Sequence, residues 1–210
     1  ISFNNLGNSN ILSVTSIFLC FIIGLFLRCK TRDYYLMITS LLMLLVGDLF
    51  NLFFPKLSII WLISLNLVQV LFFLRIYLDS EYKKSNLISR CISIPIFIAI
   101  SYFILKEKNN YQVILWLIFM VNLFINILFT IKEIGLNNLF PIGLLLMLLF
   151  GFSIMFLELN NYISVNVYFL ESIDNLPFDL KSIFYLPSII VLTCSIFTVN
   201  RRCFSKEIKK

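Results

Sequence analysis

The sequence predicts an all-α fold: a polytopic transmembrane helical bundle of about seven spans, N-terminus outside and C-terminus inside. Three observations predict it. The first is composition. Of 210 residues, 60% are hydrophobic and 13% charged, where a soluble domain is nearer half apolar and a quarter charged. The second is a set of seven apolar runs, roughly 11–27, 34–54, 57–78, 87–105, 111–131, 139–158 and 182–199, each of 17–22 residues. At about 1.5 Å per residue each can cross a hydrocarbon core of about 30 Å. The third is the placement of basic residues. One side of the alternating runs holds Arg28, Lys30, Arg32, Arg75, Lys83, Lys84, Arg90, Lys132, Arg201, Arg202, Lys206, Lys209 and Lys210, and the other holds Lys56, Lys106, Lys108 and Lys181, which is 13 against 4. The positive-inside rule makes the richer side cytoplasmic. An even number of spans would break this alternation.

The same numbers exclude other classes. A net charge of +6 marks topology here, not nucleic-acid binding, because the basic residues lie between apolar runs. The mean hydropathy is +0.96. The chain has no histidine, which removes the commonest general base and the commonest metal ligand. Cys20, Cys29, Cys91, Cys194 and Cys203 form no CxxC and no zinc spacing, and none is placed outside. No metal, no cofactor and no structural disulfide are expected.

Taken in order, the runs read as one transmembrane domain over 1–210. Run 11–27 has no basic segment before it and no small-residue cleavage site after it, so it is a span and not a signal peptide. Run 34–54 carries one carboxylate, Asp48. Run 57–78 carries Asn66 and Gln69, with Arg75 near its inner end and able to snorkel. Run 87–105 is interrupted by Pro95, and run 182–199 by Pro187. Run 111–131 carries Asn122 and Asn126. Tyr34, Tyr35 and Tyr77 mark an inner aromatic belt; Trp61, Tyr102 and Tyr111 mark an outer one. In the outer loop 159–181, Ile163, Val165, Val167 and Phe169 alternate with Ser164, Asn166 and Tyr168. That pattern is strand-like or interfacial, and suits either a lid over an outer-facing opening or an ordinary surface connector. A basic cytoplasmic tail, 200–210, ends the chain.

Residues three and four apart share a helix face. Asp48 pairs in this way with Asn51, and Asn66 with Gln69. Asn122 pairs with Asn126. On the sixth run Gly143, Met147, Gly151, Ile154 and Glu158 form a stripe with Ser153 alongside. On the seventh Tyr185, Ser188, Leu192 and Ser195 align. Lipid rejects polar stripes, so they turn inward and form a polar pocket in the outer half. Taken singly, Asn66, Asn122 and Asn126 are as well explained as interhelical glue, worth about 0.6 kcal/mol each. Asp48 is not, since a carboxylate at a helix centre costs about 2.5–3.5 kcal/mol by the translocon scale. A carboxyl so placed suits general-acid or proton-carrier work.

Three patterns carry a family resemblance. LLVGDLF at 44–50, NLVQVLFFLRIYL at 66–78 and FYLPSIIVLTCS at 184–195 resemble, in order and spacing, helices of the YhhN-like lysoplasmalogenase family of integral membrane proteins. The resemblance spans roughly 11–199. It implies eight spans with both ends cytoplasmic, of which this chain would lack the first. It also implies a hydrolase that cuts the vinyl-ether bond of lysoplasmalogens, releasing an aldehyde. Asp48 matches the family's first aspartate. The second acidic position falls at Gly151, and the glutamine after FYLPS falls at Ile189. Glu158, on the face of Gly151, is the candidate substitute.

The resulting expectation is a multi-pass protein of a bacterial-type cell membrane, with membrane lipids as partners and a lysophospholipid as substrate. Asp48 and Glu158 are the candidate catalytic residues. Asn51, Asn66, Gln69, Asn122, Ser153, Tyr185 and Ser188 are candidates to bind substrate. The alternatives are a proton-linked transporter or small-ligand-binding membrane protein, and an assembly protein without a ligand. A retinal protein is excluded, because run 182–199 holds no lysine for a Schiff base.

Overall fold

The computed structural model describes residues 3–26, 31–104, 111–136, 138–163 and 180–207, with side chains at 11–26, 31–78, 80–99, 111–136, 138–155 and 183–196. Among them are seven α-helices and no strand: α1 (Phe3–Phe26), α2 (Arg32–Phe53), α3 (Ser58–Asp79), α4 (Lys83–Ile104), α5 (Tyr111–Ile134), α6 (Leu139–Ile163) and α7 (Leu180–Glu207). A single 3-10 turn, Pro55–Leu57, joins α2 to α3.

Local chemistry sets several ends. Thr31 caps α2 by accepting from the Tyr34 backbone N–H at 3.3 Å. Asn138 does the same for α6, accepting from the Phe140 N–H at 3.2 Å. Pro141 follows in the first turn, where its missing N–H costs nothing. Gly135 ends α5 at φ 78°, a left-handed backbone that glycine adopts without a Cβ penalty, and its N–H closes back on Ile131 O at 2.9 Å. Pro95 and Pro187, marked above as interruptions, lie inside continuous helices. A proline removes one N–H and crowds the preceding turn, and both helices continue through it while packed against their neighbours.

Each apolar run lies within or nearly within one helix, and the helices extend past the runs by up to eight residues. Residues 159–163 continue α6 and 180–181 begin α7. The rest of the outer loop, and with it the lid, lies outside the described residues. Of the tail, 200–207 continues α7, and 208–210 lies outside them.

The packing order forms a closed circuit. Helix α1 packs on α2, α2 on α3, α3 on α5, α5 on α6, α6 on α7, and α7 returns to α1. Helix α7 also touches α2, while α4 stands outside the circuit against α5 and α3. The core inside contains Leu44, Leu65, Phe72, Phe119, Phe140 and Leu144, all at most 2% exposed.

The outer faces are apolar too. Ile63, Leu67 and Val70 on α3 are 45–48% exposed, and Phe124 and Leu128 on α5 are 52% and 50% exposed. Helical spacing makes each set one stripe. Such stripes are costly in water and at home in hydrocarbon. Three stretches, Arg32–Phe53, Pro55–Leu78 and Tyr111–Ile134, are long and apolar enough to cross a membrane, with mean hydropathies of 2.0, 2.3 and 2.4. The bundle is thus all-helical and compatible with a membrane protein.

Candidate functional site: a carboxylate among aromatic rings

Asp48 sits five residues before the end of α2, on the face turned to α3 and α7. Gly47 beside it brings α3 close: a Cβ there would lie 2.8 Å from Ser64 Cβ. Asp48 is 6% exposed. Trp61, in the first turn of α3, donates its indole N–H to Asp48 Oδ1 at 2.7 Å. Tyr185, near the start of α7, donates its hydroxyl to the same oxygen at 3.3 Å. Two donors from two helices fix the orientation of one carboxyl.

Aromatic rings enclose the three residues. Phe150 of α6 packs on Tyr185 with ring centroids 4.6 Å apart, and on Trp61 at 6.4 Å. Trp116 of α5 meets Trp61 edge-on at 5.6 Å. The site therefore draws on α2, α3, α5, α6 and α7. Such a setting holds an acid away from bulk water and offers apolar walls to a hydrocarbon chain.

Of the residues singled out from the sequence, Asp48 and Tyr185 meet here. Asn51 is half-buried one turn further along α2. Ser188 is fully buried and donates to Tyr185 O at 2.7 Å, within its own helix. Ser153 likewise donates to Leu149 O at 2.8 Å. Asn66 links α3 to α5, donating to Leu62 O at 2.9 Å and Leu115 O at 3.2 Å. Glu158 lies on α6 eight residues past Phe150, about 12 Å along the axis; its side chain lies outside the described residues.

Gln69, Asn122 and Asn126 belong to a second polar layer. Asn126 donates to Gln69 Oε1 at 2.9 Å and Gln69 O at 3.1 Å, and Gln69 donates to Met147 S at 3.6 Å. Asn122 and Asn126 accept from the Arg90 guanidinium, each at 2.6 Å. Gln69 is about 12 Å along α3 from Trp61, so this layer is not the Asp48 site.

Gly151, where the resemblance puts a second acid, faces α5. A Cβ there would collide with Met120 S and come within 3.2 Å of Phe119. A side chain fits there only if the Met120 thioether shifts. Two basic residues also depart from the sequence reading. Arg75 does not snorkel. It turns inward and is 9% exposed, paired with Asp33 through Nε and, at 3.0 Å, through Nη2. It also donates to Ser195 Oγ at 3.1 Å and lies 4.0 Å over the Phe140 ring. Arg90, counted above with the cytoplasmic side, is 8% exposed and turned against α5.

Sequence reasoning missed Trp61 as a site residue. A tryptophan near a loop reads as belt, and the available signal was that Asp48 and Trp61 flank one short turn, which brings them level on adjacent antiparallel helices. The described residues contain no group of three His, Cys, Asp or Glu placed to hold a metal. Comparison with protein-family models, with curated proteins and with solved structures returns no match for this chain.

Proposed function

We propose that the protein is a seven-span membrane hydrolase, acting on the vinyl-ether bond of lysoplasmalogen-type lysolipids in the manner of the YhhN-like family it resembles. One observation carries this reading: a buried carboxyl, Asp48, held by Trp61 and Tyr185 among apolar rings at one end of the bundle.

A single carboxyl can serve both halves of the reaction. Protonated Asp48 gives its proton to the outer carbon of the vinyl ether, and the double-bond electron pair forms the new C–H bond. The cation left at the adjacent carbon is stabilised by the ether oxygen. Water adds to that carbon and returns a proton to the Asp48 carboxylate. The hemiacetal then collapses to an aldehyde and the glycerol hydroxyl, and the acid is regenerated. Trp61 and Tyr185 hold the carboxyl in one orientation through both proton transfers. Glu158 is not required by this sequence.

Charge supports the orientation. Setting aside the buried Arg75 and Arg90, the basic bias is still 11 of the original 13 against 4. The N-terminus is then outside, the C-terminus inside, and the Asp48 end of the bundle faces outward. A bacterial-type cell membrane suits this arrangement.

The test is aldehyde release from lysoplasmalogen by the purified protein in detergent. Wild type releases aldehyde, and Asp48→Asn lowers the rate at least about a hundredfold, the scale of general acid–base catalysis. Undiminished activity in Asp48→Asn would falsify the mechanism. A second reading, a lipid-binding or proton-linked transport protein without hydrolysis, is favoured by the filled space at Gly151. Saturable lysolipid binding with no aldehyde from wild type selects it.

A further inference from the structure

Arg75 and Arg90 are both buried guanidinium groups, and their surroundings differ in one respect. Arg75 has a carboxylate, Asp33, on its fork. Arg90 has amide oxygens: Asn86 at 3.0 Å, Asn122 at 2.6 Å and Asn126 at 2.6 Å. Phe73 covers one face at 4.3 Å. Among the described residues no carboxylate lies within ion-pair distance of Arg90. Neutral amides satisfy hydrogen bonds but leave the charge, and an uncompensated buried charge is costly.

Donors are also in excess. A guanidinium has five N–H groups, and three are used in these bonds. Asn86 is fully buried, its Oδ1 accepts from Arg90, and its Nδ2 has no acceptor among the described residues. The cluster therefore combines a positive charge with spare N–H groups on two side chains. Further positive charge gathers nearby. Lys83 and Lys84 are exposed in the first turn of α4, and Lys132 lies 3.6 Å over the Tyr82 ring. Of the neighbouring acids, Glu133 accepts from Ser80 Oγ and from the backbone N–H of Glu81 and Tyr82, and Glu81 is exposed.

We propose that Arg90 and Asn86 form an anion site for a phosphate group at the seam of α4 with α3 and α5. Phosphate oxygens accept from the remaining N–H on Nη1 and on Nη2 and from the Asn86 amide. On the membrane topology proposed above, Arg90, about 10 Å into α4, lies toward one end of its span, and basic pockets between helices take anionic headgroups. The proposal is independent of the chemistry at Asp48.

The experiment follows thermal unfolding of the full chain in an uncharged maltoside detergent, with either inorganic phosphate or short-chain phosphatidylglycerol as the probe. The expected result is a rise of about 5 °C at saturation. A rise with phosphatidylglycerol alone identifies the source as a lipid headgroup, and a rise with phosphate identifies a free anion. Asn86→Asp supplies an internal carboxylate. It is expected to unfold at a higher temperature without probe and to lose most of the response, about threefold or more. Should Asn86→Asp not fold, Arg90→Lys, which keeps the charge but not the fork, shows the same loss of response. No rise with either probe, or an undiminished rise in the folded variant, overturns the site.

Discussion

Gly143 and Gly151 both let α6 approach a neighbour, and the neighbours respond differently to a methyl group. A Cβ on Gly143 would lie 2.7 Å from Leu192 Cγ and 3.2 Å from the Leu192 backbone N. Backbone cannot step aside. At Gly151 the nearest atom is the thioether of Met120, the end of a flexible side chain that repacks easily. Overpacking a filled core costs about 1–3 kcal/mol. Gly143→Ala is expected at the upper end of that range and Gly151→Ala at the lower, measured by unfolding in detergent. Asp48 and Tyr185 are legible in the sequence because polar atoms in an apolar run have few roles. The role of Gly151 is not legible, because a glycine reports nothing about what fills the space beside it. Arg90 is ambiguous for a related reason. A basic residue one turn into an apolar run reads equally well as a topology signal or as a buried ligand.

Among elements, α2 and α3 are tied by side chains at both ends, and the two ends are tied differently. At one end Asp48 meets Trp61. At the other, Asp33 pairs with Arg75, whose guanidinium also reaches Ser195 of α7. The two ties are about 21 Å apart along α3. Breaking a buried pair by removing one partner costs about 3–5 kcal/mol, because the other charge is stranded. Asp33 keeps 19% of its side chain exposed, so Asp33→Ala is expected near the low end, about 3 kcal/mol. The double variant Asp33→Leu, Arg75→Met is expected to recover most of that loss, and a double-mutant cycle on unfolding free energy measures it. Periodicity shows which residues share a face. It does not show which helix that face meets. Asn66 and Gln69 share a face toward α5 and α6, yet Asp48, on the adjacent helix, turns to α7 as well, and only the packing order separates them.

For the molecule as a whole, the circuit of six helices with α4 outside it is the feature least visible beforehand. Hydropathy locates helices well because each must bury or shield its backbone bonds. It says nothing of their order around a bundle. Orientation is testable directly. In a cysteine-free background, Lys56→Cys or Lys108→Cys is expected to react with a membrane-impermeant thiol reagent on intact cells. Lys84→Cys or Lys132→Cys is expected to react only after permeabilisation. The opposite pattern would invert the bundle and move Asp48 to the cytoplasmic side.

The outlying position of α4 bears on how the chain is made. Its Arg90 finds two of its three amide partners on α5, which leaves the ribosome some thirty residues later. Helix α4 alone supplies only Asn86 to accept from this guanidinium, and a buried charge left short of acceptors is costly. Helix α4 therefore buries its arginine most favourably together with α5, as a hairpin. The buried guanidinium makes the fourth helix wait for the fifth.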